Sequence, residues 1–508
     1  MAGNSILFIL HTIALLATVA FFVVRVPAAL RVGERAKAFF VILLAVIIVL
    51  GIWIRFDHTP HRFKVFYVEY EIHNIARMIS NGNDFSICSA GTVEKCEDRQ
   101  PPVYGTGFPF IGAVAMKLTG SDSPRILFTV NAVLGVLCIP VVFIMAMAAT
   151  GRARSALFAS LAATLLPLNV IMSGNATTET ADLLFLCVAF TFMFLYIRNG
   201  DILSGAGLYS AVVFSILVEP RNVYTAAFIF IVLLVSGSRD IKRVAIQVAG
   251  PALLIVLVFL LPPVYRSVFT LPPGDYPDIL KTNMLFLFSS PFIPYYISVP
   301  LVFAPVFLGR RCGVSRPLFF FLFVSILSIS LLNFRFPLGD FSRFVLPSTI
   351  SIMIFFGITI DWILESIKNT SIKNGLIALF LTVFVISSYN TSLIVLRDFA
   401  ETQDDFIAGR LPGAVGECSV FSVNSSIGMT YSEAPSYVME KLLEDSFLEK
   451  HSECKIVISE MECATGRKEM CGKVFDRFKP EELYTENIFN YYDSKISLIP
   501  AASPAEID

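Results

Sequence analysis

The sequence predicts a polytopic α-helical membrane protein, with about 12 transmembrane helices and a C-terminal exoplasmic small α/β domain. Three observations predict it. Hydrophobic residues make up 55% of the 508 and charged ones only 16%. With a mean hydropathy of +0.72, that balance does not suit a water-soluble chain of this size. Basic residues collect in alternate short loops, and the composition turns polar after about Asp398. The net charge of −1 offers no basic face and no RNA-binding signature is present, so nucleic acid is not an expected partner.

The first apolar run, ILFILHTIALLATVAFFVV, lacks a basic leader and a small-residue cleavage site before Arg25, and reads as a retained helix. Runs able to span follow at 38–55, 124–148, 155–173, 179–197, 202–218, 223–237, 244–262, 284–308, 317–333, 344–364 and 375–395, after the first at 6–24. Glu219, Pro220 and Arg221 interrupt the 202–237 stretch, and several prolines interrupt 284–308. Such backbone is tolerated at membrane depth only where protein or a water-filled cavity surrounds it.

One set of alternate loops carries Arg25, Arg31, Arg35 and Lys37, then Arg152 and Arg154, Arg198, Arg239 with Lys242 and Arg243, Arg310 with Arg311 and Arg316, and Lys368 with Lys373. That set reads as cytoplasmic. The opposite set holds the long first loop at 56–122 and the tail after 396, so both termini are expected on the exoplasmic side. Six of nine cysteines (Cys88, Cys96, Cys418, Cys454, Cys463 and Cys471) fall in that outer set. An oxidising compartment is therefore expected, with Cys88–Cys96 the first pair to look for and free cysteines the alternative.

The chain divides into a transmembrane domain at 1–396 and a soluble domain at 397–508. In the latter, GECSVFSVNSS, APSYVMEKLLEDSFLEKHS and CKIVISEMEC read as strand, helix, strand, and NYYDSKISLIP as a further strand. No phosphate loop or nucleophile motif occurs there. The sequon at Asn424 lies outside on this topology and is a candidate glycosylation site.

Ionisable groups cluster on the exoplasmic side. Glu69 and Glu71 open an amphipathic helix at 69–81, with Ile72, Ile75, Ala76 and Ile79 at helical spacing. The plainer reading is two helix-start acids favoured by the macrodipole; the functional one is a general base at a partly dry interface. Glu179 and Asp182 follow in GNATTETADLLF, Glu219 and Arg221 in VEPRNVY, then Arg266 and Lys281, then Arg343 in SRFVLP. Arg343 reads either as a snorkelling anchor or as a phosphate ligand with suitable fork geometry.

Four stretches belong together: Glu69 followed by a helix with Ile75, Ala76, Arg77 and Gly82; PPVYGTGFPFIGAVAMKLTGSDSPR; TTETADLLFLCVAF; and SRFVLP. In this order they resemble the GT-C superfamily of membrane glycosyltransferases that use polyprenyl-phosphate sugars, nearest to its protein O-mannosyltransferase and aminoarabinose-transferase branch. The likeness covers roughly 38–395. The family's first-loop Asp-Glu pair is here Val68-Glu69, with Glu71 close by.

The resemblance implies inverting transfer of a sugar from a polyprenyl-phosphate donor to a protein, lipid or glycan acceptor hydroxyl on the exoplasmic side. The protein is then integral to a prokaryotic plasma membrane or an endoplasmic reticulum membrane, with membrane lipids as neighbours. Glu69, with Glu71 as substitute, is the implied base. Arg343, helped by Arg266 and Lys281, would hold the donor phosphate. Glu179, Asp182, Arg221 and Tyr104 would position acceptor or sugar. No cofactor is required on this reading, although some relatives hold a divalent metal nearby. The alternatives are a lipid-linked-glycan flippase or transporter, an envelope polysaccharide polymerase or ligase, and a non-enzymatic scaffold. Charges gathered at one face, rather than at the midplane of internal repeats, weigh against a transporter.

Overall fold

A computed structural model describes residues 2–31, 38–57, 66–235, 320–321, 346–386 and 403–501, with single positions or short gaps left out inside these blocks. The expected spans at 244–262 and 284–308, and most of 317–333 and 375–395, lie outside the described residues.

Among the described residues, five helices are long and apolar enough to cross a membrane. They lie in α1 (Ala2–Arg31), α2 (Ala38–Asp57), α5 (Arg125–Thr150), α8 (Glu179–Asn199) and α11 (Thr349–Ser366). α6 (Ala153–Leu165) and α7 (Pro167–Ser173) are a sixth candidate, bent by 55° at their junction. α8 is central, and α1 and α2 present rows of exposed Ile, Val and Phe, as helices facing lipid do. α4 (Gly107–Thr119), α9 (Ile202–Val218) and α10 (Asn222–Val235) are shorter apolar helices.

The 155–173 run is thus two helices, and the cause is Pro167. It has no N–H for the Ala163 carbonyl four residues back. Arg55, fully buried on α2, supplies the missing donor: its guanidinium bonds the carbonyls of Ala163 at 3.1 Å and Thr164 at 3.3 Å. Its positive charge also suits the carboxyl end of α6. Gly135 makes room, since a Cβ there would lie 2.9 Å from the Arg55 Nε. The sequence alone gives Arg55 no such role, because the proline it serves is over a hundred residues away.

The first loop carries α3 (Phe66–Gly82), then β1 (Ile87–Gly91) and β2 (Cys96–Gln100). α3 takes the expected amphipathic pattern, and Ile75 and Ile79 pack with Phe85, Ile87 and Phe110. Its polar face is covered as well, by the C-terminal region.

That region comprises α12 (Gln403–Val415), β3 (Ser419–Ser422), α13 (Ser425–Tyr431), β4 (Ser436–Val438), β5 (Lys455–Ser459), α14 (Lys468–Phe478), β6 (Glu481–Ile488) and β7 (Tyr492–Ile499). One seven-stranded sheet runs β2-β1-β4-β3-β5-β7-β6. β3 pairs parallel with β4 and β5, and the remaining pairs are antiparallel. Two strands of the first loop therefore complete a sheet whose other strands lie beyond residue 400. Disulfides join Cys88–Cys96, the expected pair, and Cys418–Cys454 and Cys463–Cys471.

The helix expected over APSYVMEKLLEDSFLEKHS is instead β4, a 3-10 turn at Met439–Leu443 and one helical turn at Asp445–Leu448. Pro435 disfavours helix for the residue before it, and its carbonyl accepts from the Val420 N–H at 2.9 Å. Tyr437 then stacks on Phe421, with ring centroids 5.5 Å apart.

Candidate active site

Glu69 stands in the first turn of α3 with no exposed surface. Its Oε1 accepts from the Ala176 backbone N–H at 2.5 Å. Ala176 lies in the turn at 174–178 that joins α7 to α8. Asn131 of α5 braces this turn by donating to the carbonyls of Met172 and Asn175 at 2.9 and 2.5 Å.

α8 opens directly after that turn, with Glu179 and Asp182 in its first turn and both buried. The Asn222 amide, at the start of α10, donates to Asp182 Oδ1 at 2.5 Å and to the Ser215 carbonyl at 3.0 Å. Glu219 and Arg221, in the corner between α9 and α10, form a two-pronged pair at 2.7 and 2.8 Å. Arg221 also feels the charges of Glu179 and Asp182. Glu179, Asp182 and Arg221 therefore come together. Glu219 and Asn222, neighbours of Arg221 in EPRN, complete the cluster; Asn222 was not singled out from sequence because an uncharged amide gives no signal of its own.

The loop that carries Tyr104 lies against the same corner at its glycines. A Cβ on Gly105 would lie 1.8 Å from the Val218 carbonyl oxygen, and one on Gly107 2.8 Å from the Val218 nitrogen. Only glycine lets this loop lie against the end of α9. Thr106, between them, hydrogen-bonds His11 of α1 at 3.0 Å.

Glu71 faces the other way. Its Oε1 accepts from Asn424 Nδ2 at 2.6 Å, while the Asn424 Oδ1 caps α13 by accepting from the Ser426 N–H at 3.0 Å. Burial pushes the Glu71 carboxyl up to about 7, against the opposing bond from Asn424. Both ends of the Asn424 amide are thus engaged in the folded chain. His73 bonds the Asp122 carbonyl at 2.8 Å and Thr430 at 3.3 Å, and burial lowers it to about 4.

Arg343, Arg266 and Lys281 lie outside the described residues. Among the described residues no three His, Cys, Asp or Glu side chains converge as metal ligands.

The family model described as dolichyl-phosphate-mannose-protein mannosyltransferase matches residues 100–265. No curated protein matches the chain. Among solved structures, ArnT from Cupriavidus metallidurans bound to undecaprenyl phosphate is 14% identical, with a TM-score of 0.60 over 92% of this chain and 100% of that one. The Archaeoglobus fulgidus oligosaccharyltransferase in its apo form is 10% identical, with a TM-score of 0.57 over 93% of this chain and 76% of that one. The same organism's AglB, in complex with an inhibitory peptide and a dolichol-phosphate, is 12% identical, with a TM-score of 0.55 over 94% and 75%. The chain shares its fold with these enzymes, all of them glycosyltransferases, and the resemblance to the GT-C superfamily read from its motifs is borne out.

Proposed function

We propose, from the GT-C glycosyltransferase fold as premise, that this chain transfers a sugar from a polyprenyl-phosphate donor to an acceptor hydroxyl with inversion, and that Glu69 is the general base. The observation that carries this reading is the buried carboxylate of Glu69 against the Ala176 N–H, one turn of chain from the Glu179, Asp182 and Arg221 cluster. Glu69 takes the proton of the acceptor hydroxyl. The acceptor oxygen attacks the anomeric carbon, the bond from that carbon to the phosphate oxygen breaks, and polyprenyl phosphate leaves with the electron pair. Charge developing on the phosphate needs fixed positive charge, for which Arg343, Arg266 and Lys281 are the candidates. Glu179 and Asp182 orient sugar or acceptor hydroxyls, with Arg221 and Asn222 holding the two acids in place, and Tyr104 lines the same corner. Three disulfides in the first loop and C-terminal region favour an exoplasmic site.

The test is transfer of radiolabelled hexose from synthetic polyprenyl-phosphate sugars by the purified protein, beside Glu69→Gln. Transfer, or slow donor hydrolysis, that falls by roughly a hundredfold or more in the variant is the expected result. Turnover that survives Glu69→Gln removes Glu69 from the chemistry. The absence of turnover in the unmodified protein favours a non-catalytic homologue. Val68, buried where the family carries its first acid, is the residue that raises that alternative.

A further inference from the structure

The C-terminal region grips α3 along its outer face. Asp404, in the first turn of α12, is a buried carboxylate that accepts from two phenols at once. One is Tyr70 of α3, at 2.8 Å; the other is Tyr431, at the end of α13, in a short contact. The two rings meet edge to face with centroids 6.0 Å apart. One turn further along, Asn74 donates to Ser426 at 3.2 Å and exchanges bonds with the backbone of Cys88 at 3.0 Å. Arg77 donates to the Met429 carbonyl at 2.6 Å.

Tyr70 directly follows Glu69. Successive side chains leave a helix about 100° apart, so a ring anchored on the outer side fixes the rotation of the first turn. That rotation decides where the Glu69 carboxylate points. Tyr431 is also close enough to Glu69 to feel its charge. Burial raises both phenols above their ordinary range, so each stays a donor to Asp404. A reacting group misplaced by about 1 Å loses roughly a hundredfold in rate.

We propose that Tyr70, Asp404 and Tyr431 form a positioning junction through which the C-terminal region sets the aim of Glu69, an inference that rests on Glu69 being the base. The region is then part of the catalytic unit rather than an appended module. None of the three residues touches the reacting atoms; each acts through the helix that carries the base.

The experiment uses the full chain in detergent or nanodiscs and the hexose-transfer assay, with Tyr431→Phe and Tyr70→Phe. Each removes one bond to the same carboxylate, so if one variant fails to fold the other still reads the junction. The expected result is a kcat lowered roughly tenfold or more, a donor KM within about twofold, an unchanged elution profile, and a melting temperature lowered by no more than a few degrees. In a Glu69→Gln background, Tyr431→Phe should lower the residual donor hydrolysis no further, because the residue it acts through is already disabled. An unmodified protein that turns over, with both variants at its kcat, overturns this proposal alone. An equal loss from Tyr431→Phe with and without Glu69 also overturns it. Absence of any turnover in the unmodified protein overturns the reading of Glu69 as base, and this proposal with it.

Discussion

Glu69 and Glu71, two residues apart on one helix, are bonded in opposite directions. Glu69 accepts from Ala176 in the turn before α8, and Glu71 from Asn424 at the cap of α13. An i,i+2 pair on a helix lies about 200° apart, so both cannot serve one site.

The two acids should therefore separate in activity. Glu69→Gln is expected to lower transfer by roughly a hundredfold or more, the usual worth of a positioned base. Glu71→Gln keeps a carbonyl acceptor for Asn424 and should retain most of the turnover. Steady-state transfer rates decide it; equal losses would place the base elsewhere.

Glu71 should also write a pH dependence on stability. Its folded value of about 7 lies above the ordinary 4.5. Between those values the folded chain holds a proton that the unfolded chain has released. Stability contributed by neutral Glu71 is thus complete at low pH and lost as the pH rises toward about 7. Glu71→Gln cannot ionise. Its melting temperature, compared with that of the unmodified protein, should gain steadily from about pH 5 to 7 and level off above. His73 slopes the other way below its ordinary range and cancels in the comparison. A difference that does not change with pH would remove Glu71 as the source.

Arg55→Leu should destabilise the bundle by about 1–3 kcal/mol, since the Thr164 carbonyl loses its side-chain donor and the Ala163 carbonyl keeps only the longer bond from Asn169. Pro167→Ala restores the N–H that the Ala163 carbonyl lacks. If Arg55 serves the helix break, the double variant should recover part of the loss in denaturation midpoint. A purely additive double variant would show that the arginine stabilises something else.

Cysteine-to-serine pairs should rank by the length of chain they close. Cys418–Cys454 are 36 residues apart and Cys88–Cys96 are 8 apart. Chain entropy assigns about 4 and about 2.6 kcal/mol to them. Denaturation of the two double-serine variants measures the order, and the reverse order would show that packing around the short loop outweighs entropy.

The residues that were legible in sequence are those whose signal is local. The 3.6-residue spacing of Ile72, Ile75, Ala76 and Ile79 gave α3, and the acids of TTETAD gave the start of α8. What stayed hidden depends on partners far along the chain. Arg55 answers Pro167, Gly105 and Gly107 answer Val218, and Glu71 answers Asn424. The hairpin of β1 and β2 is short and polar on its outer strand, so period-two alternation could not mark it. The MEKLLEDSFLEK run has a helical pattern, yet Pro435 and the aromatic stack of Tyr437 win locally.

The pairing of β1 with β4 joins Gly91 to Ser436. About 340 residues of intervening chain must be synthesised, and its helices inserted, before that edge can close. At about 5–20 residues per second the ribosome needs about 17–70 s, during which the first-loop hairpin waits without its neighbour strand. The Cys88–Cys96 bond can form within that interval and hold the hairpin in register, whereas Cys418–Cys454 must wait until the chain past Cys454 has been made. Maturation of this protein should therefore proceed in two covalent stages separated by the synthesis of the intervening helices.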